Sequence, residues 1–257
     1  MDKLLELCKE EYLFAKRIQE EFEILINHVK DLPETDQHIL SATAFQKVRI
    51  SYGAALQLCN LNFPFDAFSV IRSMFETNCI LSCSCLRKEF AKEFKNSLLV
   101  HQERILNNVK KNPDSFGDYM KNFADSIDLD DLKKRIKSLS AKAIYVKDLA
   151  IQAGYKNLYY TFYAIASDYV HGSVSNFSKY ISSDFNSDYI EYNTTELDIR
   201  ESLLNANYMA LLALKTYGKF LNFDRNYDYL EDANSLFYAK LNEEKYDEKV
   251  DIVFKRE

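Results

Sequence analysis

From residue 3 to residue 30, apolar side chains recur at steps of three or four, with charges between them. Leu4, Tyr12, Ala15, Ile18, Phe22, Leu25 and Val29 mark this seam, which predicts an amphipathic helix. Pro33 interrupts it, and the pattern resumes near Thr35 or Asp36 and continues to about Asn60. Pro64 suits the first turn of a third helix, residues 65–86, whose positions are apolar nearly all round. A helix with no polar face is expected at the centre, surrounded by the others. Residues 87–111 return to a charged helix with a seam of Phe90, Phe94, Leu98, Ile105 and Val109. Residues 114–127, around Gly117, read as loop.

A short Lys-rich helix over 128–142 has an acidic start and a basic end, as the helix dipole prefers. Its run Lys133-Lys134-Arg135-Ile136-Lys137 is the nearest thing to a nucleic-acid patch. The acidic residues directly before it favour a solvated face. Helices are expected over 146–155, ended by Gly154, and over 158–170. Residues 173–195 lack helical period and are rich in Ser, Asn, Asp and Tyr, which predicts a loop that could cover a ligand. Thr194 or Thr195 can cap a long helix over 196–222, and a more polar one follows over 227–245. The expected fold is all-α: one domain over 1–257, built of long antiparallel helices. Its core is expected at about 35–222, with the helices at 3–30 and 227–245 as additions.

Composition agrees. Only 5 Gly and 3 Pro occur in 257 residues, too few for tight-turned sheets or glycine-rich phosphate loops. With 18 Tyr and no Trp, many phenol rings must be packed with the hydroxyl at water or a partner. A net charge of −6 gives no overall attraction to nucleic acid, although it leaves room for a local patch. No window reaches the run of about 20 apolar residues that a membrane helix needs, so no membrane partner is expected. The start carries acidic residues inside its apolar pattern, unlike an export signal. Five cysteines are then expected as reduced thiols in the cytoplasm. Cys79 and Cys83 share a helical face, but no second Cys/His pair sits at a matching distance, so neither metal nor cofactor is expected.

Two polar stripes stand out on apolar helices. One is Arg72 and Glu76, a turn apart in the third helix. The other runs in four-residue steps through Tyr159, Tyr163, Ser167 and His171, with Gly172 next. As structural groups, Arg72 and Glu76 would form an ion pair between helices, and Tyr163 and Ser167 would bond backbone. His171 would interact with the carbonyl end of its helix. As a site, His171 would act as general acid or base, with Ser167 one turn back. Arg72 would stabilise developing negative charge and Glu76 would hold it. That set suits phosphodiester cleavage better than acyl transfer, and no nucleophile elbow, P-loop or zinc motif supports another hydrolase class.

The order RSMFE, then AGYKNLYYTFYAIASDYVHGS, resembles a group of bacterial all-helical domains of unknown function. Their pattern is Arg-x-x-x-Glu followed by Tyr-x-x-x-Ser-x-x-x-His, matched here by Arg72, Glu76, Tyr163, Ser167 and His171 over roughly residues 35–220. That group in turn looks like a distant relative of the HEPN superfamily of helical ribonucleases and toxins in bacterial conflict and phage defence. The resemblance implies a HEPN-like bundle with extra helices and a metal-independent ribonuclease using His171 with Arg72. It also implies RNA as substrate, a homodimer, and a protein partner from the same defence system. The usual HEPN mark places an arginine where this chain has Ala166. Either Arg72 substitutes from another helix, or the chemistry is absent and the chain is a non-catalytic module for ligand sensing or protein interaction.

Overall fold

A computed structural model describes residues 3–29, 33–170 and 194–254. Among them every regular element is helical, as the spacing of apolar residues requires. The chain begins with α1 (Lys3–Leu7) and α2 (Lys9–His28), separated at Cys8 rather than continuous over 3–30. Next come α3 (Asp36–Asn60) and α4 (Pro64–Leu86). The Thr35 hydroxyl accepts from the His38 N–H to start α3, and Pro64 occupies the first turn of α4. At the end of α3, Asn62 takes φ +68°, and the Phe63 N–H closes back on the Leu58 carbonyl. This left-handed cap lets the chain reverse into α4 within a few residues.

α4 is the central helix. It packs against α3, against α8 (Val146–Gln152), against α10 (Ala164–Val170), and against α11 (Glu196–Phe220). Ile71, Met74, Phe75, Cys79 and Leu81 of α4 are fully buried. α11 matches it from the other side with Leu203, Ala206, Met209, Ala210 and Leu214. Thr195 and Asp198 start α11 with a reciprocal capping box. Leu4, Ala15, Ile18, Phe22 and Leu25 belong to the same core, so the N-terminal helices are not an outer layer on a finished body. α12 (Asp228–Phe254) closes this side, with Leu230 and Leu241 buried.

The region after α4 is built differently. α5 (Phe90–Lys111) leaves the body and carries α6 (Asp118–Asp125) and α7 (Leu129–Ser138) on its far half. Leu106, Val109, Ala124 and Leu132 form a second, smaller core there, with Met120 and Ile136 packed at its edge. The expectation of loop over 114–127 is therefore corrected. Phe116, Met120 and Ala124 recur at steps of four and pack onto α5, so tertiary burial organises a helix despite the surrounding Gly, Asp and Ser.

Candidate functional site

α10 is preceded by α9 (Lys156–Leu158) and by five residues of π-helix, Tyr159–Tyr163. A π-turn widens the helix by one residue, and such insertions are frequent at functional sites. Here it lies directly against α4. Tyr159 and Tyr163 stack at 5.1 Å between ring centroids, and the Tyr163 ring also meets Phe75 at 5.5 Å. These rings carry the Tyr163 hydroxyl to the polar stripe of α4.

There the hydroxyl bridges two charges. Arg72 Nη2 donates to Tyr163 Oη at 2.7 Å, and Tyr163 donates to Glu76 Oε1 at 2.9 Å. Arg72 Nη2 also lies 3.3 Å from Glu76 Oε1, so the three side chains form a closed triangle. The guanidinium carbon is 4.8 Å from the Tyr163 ring centre. Burial pushes the Tyr163 pKa up. The hydrogen bond from Arg72 pulls against that and Glu76 reinforces it, so the phenol keeps its proton at neutral pH and acts as a donor.

The triangle is partly open to solvent: the Arg72 side chain is 20% exposed and that of Glu76 33%. Arg72 Nε is buried and has no hydrogen-bond partner among the described residues. An arginine in this state has donor capacity left over after its internal contacts. Arg72, Glu76 and Tyr163 are thus brought together by the fold. Ser167 sits one turn beyond, but its hydroxyl donates to the Tyr163 carbonyl at 2.7 Å, a bond within its own helix. It therefore supports the backbone after the π-turn. His171 lies outside the described residues, as does nearly all of the 173–195 segment expected as a covering loop.

The Arg72–Glu76–Tyr163 set falls inside residues 37–190, the span matched by the model of a family of unknown function, DUF5677. That span is more than half of the chain. The chain belongs to this family. In this DUF5677 member, the two helices that carry the triangle, α4 and the π-turn with α10, both lie within the matched region, whereas α1, α2, α11 and α12 lie outside it. No curated protein and no solved structure matches the chain.

The three polar corners are legible in the sequence, whereas the supporting ring of Phe75 is not. It is fully buried. Its position between Arg72 and Glu76 in RSMFE is the one available signal. Of the sequence's thiols, Cys79 and Cys83 are both buried, and Cys83 Sγ lies 3.6 Å from the Leu149 carbonyl, where it packs α4 on α8. Burial pushes the Cys83 thiol up to about 11, the state of a protonated packing group. No helix of the described residues is long and apolar enough to cross a membrane.

Proposed function

We propose that this protein is a HEPN-like effector that cleaves RNA without a metal ion. The reading rests on the state of Arg72. Its guanidinium is oriented by Tyr163 and Glu76, remains partly exposed, and has one buried N–H without a partner among the described residues. A fixed arginine of this kind is suited to the phosphate of a phosphodiester, where charge grows in the transition state. In this scheme His171 takes the proton from the ribose 2′-hydroxyl as that oxygen attacks phosphorus. Tyr163, which keeps its proton at neutral pH, is the nearby group able to give one to the departing 5′-oxygen. Glu76 holds Arg72. Ser167 has a positioning role through its bond to the Tyr163 carbonyl. The same proposal includes a cytoplasmic homodimer acting with a protein partner in bacterial conflict.

A second reading is favoured by the closure of the triangle. Arg72, Tyr163 and Glu76 already bond one another, as a structural ion pair with a bridging phenol would. On that reading the chain is a non-catalytic ligand-sensing or protein-interaction module.

The deciding experiment measures RNA cleavage in EDTA by wild type, His171→Ala and Arg72→Ala, alongside thermal melts of all three. Cleavage by wild type alone, with His171→Ala melting like wild type, supports the ribonuclease. No cleavage of any RNA, together with a lowered melt in the variants, supports the structural reading.

A further inference from the structure

The arm formed by the distal half of α5 with α6 and α7 differs in charge from the rest of the molecule. From the middle of α5 to the end of α7, residues 101–138 hold eight Lys and Arg against seven Asp and Glu, in a chain whose net charge is −6. Lys110 and Lys111 end α5, and Lys133, Lys134 and Lys137 lie on α7. All five are exposed, and none forms an ion pair among the described residues.

Asp130 and Asp131 are exposed one turn before Lys134 on α7, whereas the Asp128 carboxylate just ahead of them is engaged. The Asp128 carboxylate caps α7, accepting from the Asp130 and Asp131 N–H groups at 2.9 and 3.1 Å. Those two bonds hold its carboxyl below the usual range, and Lys134 and Lys110 add to the effect from two different helices. The end of α5 and α7, which pack together, thus bring Lys110 and Lys134 near one carboxylate.

A second feature of the arm is aromatic. Tyr119 is 81% exposed and Phe123 41%, and they stand one turn apart on α6. Exposed aromatic rings and exposed lysines on one arm are what a flexible strand of nucleotides can use. Its phosphates meet the cations and its unpaired bases stack on the rings. A duplex offers the phosphates but keeps its bases stacked inside.

We propose that this arm is a docking surface for single-stranded nucleic acid. The lysines of α5 and α7 hold phosphates, and Tyr119 and Phe123 stack bases. None of these residues belongs to the Arg72 triangle, and binding by them does not depend on cleavage there.

The test is fluorescence anisotropy with a labelled mixed-sequence DNA strand of about 20 nucleotides, its duplex, and vesicles containing phosphatidylserine. DNA has no 2′-hydroxyl, so binding is read whether or not the protein is a ribonuclease. The full chain is compared with Lys133→Glu/Lys134→Glu/Lys137→Glu and with Tyr119→Ala/Phe123→Ala, each checked by circular dichroism and melting. The charge variant should weaken strand binding about tenfold or more and flatten its dependence on salt. The aromatic variant should weaken the strand more than the duplex. The proposal is overturned if the wild type does not bind the strand, binds only the vesicles, or prefers the duplex. It is equally overturned if folded variants bind the strand as wild type does.

Discussion

Arg200 of α11 and Glu11 of α2 meet across 189 residues of sequence, with Nε and Nη2 each 2.8 Å from one carboxylate oxygen. Both side chains are almost wholly buried, at 7% and 6% exposure. Glu244 of α12 pairs with the same guanidinium through Nη1, so one arginine joins three helices that all lie outside the DUF5677 span. A charge removed from water this far is tolerable only while its partner stays.

Glu11→Ala should therefore destabilise the protein by about 3 kcal/mol, because Arg200 is left buried with half of its pairing. Replacing both residues, as Glu11→Leu with Arg200→Met, should recover part of the loss, since only the partly exposed Glu244 then loses its partner. Urea unfolding of the single and double variants measures both. A double variant as unstable as the single would mean that the charges contribute more than their mutual neutralisation.

Tyr163→Phe keeps the ring contacts with Tyr159 and Phe75 and deletes only the hydroxyl between Arg72 and Glu76. The expected loss of stability is about 1 kcal/mol, the net worth of a partly exposed hydrogen-bonded group. If the triangle works on RNA, cleavage should fall far more than this small change in melting accounts for. Calorimetry paired with the cleavage assay separates the two effects.

Ser140 occupies a left-handed position, φ +49°, just after α7, where the Ala141 N–H closes onto the Ile136 carbonyl. Glycine adopts this conformation without the steric cost that a side chain brings. Ser140→Gly should stabilise the protein by about 1 kcal/mol. That corresponds to a Tm rise of about 2 °C, readable in a thermal melt. An unchanged or lower Tm would show that the Ser140 side chain contributes a contact that outweighs the strain.

Alkaline stability follows from the buried phenols and thiols. Burial pushes Tyr217 and Tyr227 from 10.0 up to about 12, and Cys59 from 9.0 to about 12. The unfolded chain releases these protons near pH 9 to 10, while the folded chain holds them to about pH 12. The unfolded state then binds fewer protons, so stability is intact below about pH 9 and falls as pH rises towards 12. Tyr217 also leaves its buried hydroxyl without a partner among the described residues. Tyr217→Phe should thus be neutral or stabilising at pH 7 and should make the alkaline fall shallower by one proton. Denaturant titrations between pH 7 and pH 11 give both numbers.

The number of long helices and their approximate limits could be read from the chain because they depend on short-range spacing. The Pro64 start and the Thr195 cap of α11 are local signals of the same kind. The centrality of α4 follows from a helix that is apolar nearly all round. The pairing of Arg72 with Glu76 was legible for a similar reason, since four residues is one helical turn.

Other features required the third dimension. α6 does not show in the sequence because its few apolar residues become a pattern only against α5, and Cys8 interrupts a seam that looks unbroken. The π-turn leaves no trace in apolar spacing, yet it lies where Tyr163 reaches α4 from 87 and 91 residues away. Arg200 gives no hint in sequence that Glu11 is its partner. Amino-acid order by itself determined which face of each helix must be buried, because burial follows a period of a few residues. Only the tertiary structure decided which buried charges and hydroxyls meet, because that depends on how distant helices pack.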